Sequence, residues 1–165
     1  MATWKKVITS EDGLGFKKDA PTVNYGTIGT EFGSAGDFFG ETIVCGTAAG
    51  SSQAGKLMVC AGGTWALADN NTEAHGKGLL GVVTTTAGSS NHPADGYLIK
   101  GLVRVGSGLE GSGNVGDVVY IGDDGELVHT APNASGEIVR PVGYIVHVAN
   151  RVIYFNPDKT WITLV

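Results

Sequence analysis

Glycine and proline interrupt this chain so often that a helix of ordinary length has almost nowhere to form. Glycine fills 27 of the 165 positions and proline five more; in a helix interior they cost about 1 and about 3 kcal/mol relative to alanine. The longest stretch free of both, Tyr144 to Asn156, is dominated by Val, Ile, Tyr and Phe. Those side chains suit a pleated sheet better than a helix. Short apolar runs recur from Lys56 onward at the spacing of a sandwich or barrel: Lys56–Cys60, Thr64–Ala68, Gly78–Thr84, Tyr97–Val105, Asp117–Ile121, Glu126–His129, Val139–Val148, Arg151–Phe155 and Thr160–Leu164. Glycine does not recur every third residue, which excludes collagen. Charged residues make up only 16% and hydrophobic residues 42% of the chain. That is too few charges for a coiled coil and enough apolar surface for a core.

Turn chemistry punctuates the runs. Gly122-Asp123-Asp124-Gly125 reads as a tight hairpin connection, Ala149-Asn150 as a short turn, and Ala61-Gly62-Gly63 as a third. Within Leu98–Val105 the second half alternates, placing Leu102 and Arg104 on one face and Val103 and Val105 on the other. Gly101, mid-run, signals a bulge or a close backbone approach. The fold expected is all-β: a small Gly-rich antiparallel β-barrel or sandwich over residues 56–165, preceded by an extended N-terminal arm and linker over residues 1–55.

The arm differs in kind from the β domain. Residues 1–40 hold Trp4, Phe16, Tyr25, Phe32, Phe38 and Phe39, together with Lys5, Lys6, Lys17 and Lys18, and show no sustained period. Such a segment is too irregular for a core of its own and too aromatic to stay solvated. It reads as an arm that docks on a neighbour through Trp4, Lys5, Lys6, Val7, Ile8, Phe16, Phe32, Phe38 and Phe39. The alternative is that it wraps its own barrel. Gly46–Gly55, rich in Gly, Ser and Ala, would be the linker.

Catalytic signatures are weak. Gly106-Ser107-Gly108-Leu109-Glu110-Gly111 matches G-x-G-x-x-G, but Ser112-Gly113-Asn114-Val115-Gly116 cannot readily open the helix that a dinucleotide site needs. His75, His92, His129 and His147 lack metal-ligand spacing, and His147 reads as a hydrogen-bonded sheet histidine. Cys45 and Cys60 lie in apolar contexts, as small buried hydrophobes do. Asp117, Asp123, Asp124, Glu126 and Glu137 fall in a stretch without Lys or Arg. Paired carboxylates serve glycoside hydrolysis, but Asp123 and Asp124 sit where a turn favours aspartate anyway, so a solvated acidic rim is expected. No catalytic, cofactor or metal site is expected, and the chain reads as a non-enzyme. The net charge of −5 offers no basic footprint for nucleic acid. No apolar run is long enough to span a membrane, and residues 1–10 lack the apolar core of a secretory signal. The composition reads as that of a soluble protein made in the cytoplasm.

Several segments resemble a module of virion structural proteins of marine tailed bacteriophages: Gly78-Leu79-Leu80-Gly81-Val82, Gly101–Val105, Gly116–Ile121, Gly136–Tyr144, Ile153–Trp161 and the opening Ala2–Ser10. The resemblance spans about two-thirds of the chain. Family members include fibre-like, tail and capsid-surface proteins. This chain lacks the repeats, shaft and coiled coil of long fibres, and its short arm plus one small β domain is similar to capsid decoration (cement) proteins. The resemblance implies a protein bound through its arm to the major capsid protein on the outer virion surface, assembled in the host cytoplasm as a homotrimer and stabilising the head. The alternative it implies is a tail, baseplate or short fibre component involved in host attachment.

Overall fold

The computed structural model describes residues 32–48, 50, 52–88, 91–106, 109 and 113–165. The described chain is almost entirely β, and its main sheet curls into an antiparallel half-barrel. In chain order the elements are β1 (Phe38–Ile43), β2 (Leu57–Ala61), β3 (Thr64–Leu67), α1 (Glu73–Gly76), β4 (Leu79–Val83), β5 (Tyr97–Arg104), β6 (Val118–Ile121), β7 (Leu127–Val128), β8 (Ile138–Val139), β9 (Pro141–His147), β10 (Val152–Phe155) and β11 (Ile162–Thr163). The strand order is β3-β2-β4-β5-β10-β9-β6-β7, with β1 also on β5, while β8 and β11 form a separate pair.

Strand β5 organises the molecule. Tyr97 and Leu98 pair with β1 on one edge and β4 on the other, whereas Leu102 and Val103 pair with β1 and β10. Two strands thus share one edge of β5 in succession, which splits the sheet into wings that curl towards each other. The wings meet at the β6–β7 turn. Leu57 donates its N–H to Gly125 at 2.7 Å, Gly125 donates to Ala68 at 2.7 Å, and Asn70 donates to Gly122 at 3.2 Å. Lys56 reinforces the corner through an ion pair with Glu126.

Alternation along each strand fills the interior. Leu57 and Val59, Leu80 and Val82, Leu98 and Val103, Val119 and Ile121, Val142 and Ile145, and Ile153 and Phe155 form one buried cluster. Val105 joins it, while Leu102 and Arg104 lie on the outer face. A smaller cluster on the outside of β2–β5 contains Met58, Trp65, Val83 and Tyr97. The Trp65 and Tyr97 rings stack with centroids 3.8 Å apart, and the Trp65 indole N–H donates to the Cys45 carbonyl at 2.7 Å. Gly81 makes this possible: a Cβ there would lie 2.8 Å from Tyr97 Cβ and 3.2 Å from the Trp65 ring.

One boundary differs from the sequence reading. The described residues between 38 and 55, assigned there to arm and linker, are tied to the sheet. Phe38–Ile43 is strand β1, Thr47 bridges Thr64, Ser52 bridges Ala87, and Gly55 donates to Val83 at 2.8 Å. The pairing is long-range, with no local alternation to announce it. The short helix α1 and strand β8 are additions to that reading; each is too brief to leave a periodic trace.

Candidate functional site

Of the expected arm contacts, Trp4, Lys5, Lys6, Val7, Ile8 and Phe16 lie outside the described residues. The structure places Phe32, Phe38 and Phe39 in three different environments. Phe32 is 5% exposed and packs on Val152 beside Leu102 and Val146. Phe38 is half-buried against the main core. Only Phe39, 48% exposed, is presented to solvent. Phe32 and Phe38 thus pack against the protein's own sheet, as in the alternative in which the segment wraps its own barrel.

Arg104 secures the point where the N-terminal segment joins the domain. Its guanidinium donates to the carbonyls of Phe32 and Gly33. Its backbone N–H donates to Asp37 and its carbonyl accepts from Gly36. Asp37 in turn accepts the N–H of Ser34. A bent loop, Phe32–Asp37, is thereby held on the outer face of β5 and β10. The sequence placed Arg104 on the face shared with Leu102, opposite Val103 and Val105, but gave no sign of what it would grip.

Two of the acidic residues, Asp123 and Glu137, come together at one cleft. A cleft of about 290 Å³ is lined by Asn70, Asp123, His129, Asn133 and Glu137 among others. The carboxylates are engaged in holding loops. Glu137 accepts from Asn70 Nδ2 at 3.2 Å and from the N–H of Ala134 at 2.7 Å, and Asp123 accepts from Asn71 Nδ2. Asp117 accepts the N–H of Asn114 at 2.7 Å. Asp124 sits in the β6–β7 turn with φ of 47°. Among the described residues no three His, Cys, Asp or Glu side chains are grouped as a metal would need. His147 Nδ1 accepts the N–H of Asn150, closing the β9–β10 turn. His92 meets Tyr97 edge-on.

The two thiols lie close together, both packed against the outer aromatic cluster. Burial, followed by the proximity of Cys45, pushes the Cys60 thiol up from the ordinary cysteine range. Since the thiolate is the nucleophile, Cys60 is expected to react with iodoacetamide more slowly at pH 8.5 than an unstructured cysteine. Its rate should climb only on further alkalinisation. Equal rates for native and urea-unfolded protein at that pH would contradict the packing described.

The C-terminal segment packs beside α1 and β8. Arg140 is buried, and both Arg140 and Lys77 lie over the Trp161 ring. The N–H and hydroxyl of Thr160 both donate to Asp158, holding its carboxyl below the usual carboxylate range. A lowered carboxylate pKa gives stabilisation that is present above the unfolded value and is lost as pH falls through the folded one. Trp161 fluorescence is therefore expected to stay constant from pH 7 to about 5 and to report loosening of this segment below the ordinary aspartate pKa. Asp158→Asn should remove that acid-sensitive step.

The outer face also carries exposed tyrosines that the sequence reading did not single out. Tyr144 is 52% and Tyr154 37% exposed, and they pair across β9 and β10. Their strands were legible, but which face became the outside depends on pairings between residues far apart in sequence. Comparison with protein-family models, curated proteins and solved structures finds no match to this chain.

Proposed function

We propose that this chain is a capsid decoration protein of a tailed bacteriophage, binding the major capsid protein on the outer shell and stabilising the head as a homotrimer. The observation that carries the reading is the way the N-terminal segment is joined to the domain. A small all-β unit holds its entry point with Phe32 and Arg104, and upstream lie Trp4, Lys5, Lys6, Val7, Ile8 and Phe16. The resemblance of Gly78–Val82, Gly101–Val105 and Ile153–Trp161 to phage virion modules supports the same reading. Engagement of the acidic side chains in loop structure favours a binding role over hydrolysis. In this role the segment supplies backbone pairing and aromatic anchors, and many copies of a modest contact together clamp neighbouring capsomers.

Quantitative mass spectrometry of purified particles tests it. The expected result is a simple stoichiometric ratio to the major capsid protein. A small number of copies per particle would move the protein to the tail, baseplate or a short fibre, and absence from particles would end both assignments. Full-length protein carrying Trp4→Ala and Phe16→Ala should keep its thermal stability yet decorate shells far more weakly. Undiminished binding would remove the segment from the interface.

A further inference from the structure

The two cysteines stand far apart in sequence and are anchored to one residue, Trp65. Alternation along β2 puts Cys60 on the same outer face as Met58, and its direct partner on β3 is Trp65. Cys45 follows the end of β1 by two residues, and its carbonyl accepts the Trp65 indole N–H at 2.7 Å. Gly46 then turns the chain onto β3. Its φ is +68°, and a Cβ there would lie 2.5 Å from the Gly63 carbonyl oxygen, so the turn requires glycine. Thr47 completes the anchor, donating its N–H to Gly63 at 2.8 Å and accepting from the Trp65 N–H at 3.0 Å. That same Cβ position on Gly46 lies 3.3 Å from the Cys60 sulfur, so the turn passes within contact of the thiol. Both thiols are free and half-buried against the cluster of Met58, Trp65 and Tyr97.

We propose that Cys45 and Cys60 form a modification site, a dithiol that small-molecule disulfides convert into an intramolecular disulfide. The thiolate of one cysteine attacks a sulfur of the small disulfide, forming a mixed disulfide and expelling one thiolate. The second cysteine, deprotonated, attacks the protein-bound sulfur of that mixed disulfide and expels the other thiolate. Two protons and two electrons leave the protein, and the small disulfide departs as two thiols. Strand β1 pairs with β5; the new bond would add a covalent tie from the chain just beyond β1 to β2. A reducing compartment keeps the pair open, and transfer to an oxidising one closes it. The staple goes beyond the capsid reading and does not rest on it.

Burial favours the protonated Cys60 thiol, which slows exchange near neutral pH, so the test is run to equilibrium. Full-length protein, native or unfolded in urea, is held in glutathione buffers of graded reducing strength. After acid quenching, each cysteine is read by peptide mass spectrometry. A fold that holds the two sulfurs together raises their effective concentration above that of a flexible chain. The native chain is therefore expected to be half-closed at a value of [GSH]²/[GSSG] at least about tenfold higher than the unfolded chain. Hydrogen exchange of Phe38–Ile43 should slow several-fold on closure, recover with dithiothreitol, and show no such response in Cys45→Ser. Half-closure of the native chain at the same or a lower value than the unfolded chain overturns the proposal. So does closure only between chains, seen as a dimer that grows with protein concentration. Unchanged exchange at β1 in the closed protein, or a response that survives in Cys45→Ser, overturns the staple.

Discussion

Arg140→Met is expected to destabilise the protein by about 3 kcal/mol, measured as a drop in the urea midpoint at unchanged slope. Arg140 is 5% exposed. Its Nε donates to the Asp158 carbonyl at 2.8 Å, and one terminal nitrogen donates to Gly76 and Gly78 at 3.2 and 3.0 Å. One guanidinium thus ties α1, the turn before β4 and the segment leading to β11. Hydrogen bonds to a charged group contribute about 1.5–3 kcal/mol each, and an orphaned buried carbonyl carries its own penalty. The opposing effect is burial of the charge, which lowers the Arg140 pKa despite the raising influence of Asp158. Methionine removes that desolvation cost and packs against Trp161, so the net loss is smaller than three charged bonds would suggest. Lysine keeps the charge but not the planar fork and should fall between the two. A methionine variant as stable as the parent would show that the carbonyls find water instead, and the clamp assignment would fail.

Arg140 also shows where sequence reading stops. Nothing around Val139-Arg140-Pro141 distinguishes a buried clamp from a surface cation, because its partners lie 18 to 64 residues away. The domain's strands were legible from Leu57 onward, since alternation, β-branched content and Gly-rich turns agreed with one another. The alternation of Leu102 to Val105, the Gly122–Gly125 hairpin and the hydrogen-bonded His147 all follow from local rules and all appear in the structure. Strand β1 was hidden because Phe38-Phe39-Gly40-Glu41-Thr42-Ile43 lacks a clean period, and what makes it a strand is the free edge of β5. The exposed pair of Tyr144 and Tyr154 on the outer face was invisible for the same reason. Its members sit on different strands, and only the register brings them together. The acidic side chains were visible individually, but their engagement with Asn70, Asn71, Ala134 and Asn114 depends on loop geometry that composition does not encode.

Gly101→Ala should have the other large effect, and it bears directly on where the N-terminal segment ends and the domain begins. Gly40 and Gly101 face each other across β1 and β5. A Cβ on Gly101 would lie 2.2 Å from the Phe39 carbonyl oxygen and 2.7 Å from Gly40 Cα, and its φ is +141°. A Cβ on Gly40 would lie 2.1 Å from the Lys100 oxygen. These contacts involve backbone, so no side-chain rotation relieves them. Adding the cost of the disfavoured φ to that of overpacking gives a loss of about 4 kcal/mol. The clash falls between β1 and β5, while β10 holds the other edge of β5 at this point. The expected response is therefore separation of β1 from an otherwise retained sheet. Hydrogen exchange should show Phe38–Ile43 losing protection while Val152–Phe155 keeps it. Release of β1 would also disturb Asp37 and the loop held by Arg104, loosening the attachment of everything upstream. Conversely, if Gly101→Ala leaves both stability and exchange at β1 unchanged, residues 38–43 belong with the arm, as the sequence alone suggested, and the domain begins only near Lys56.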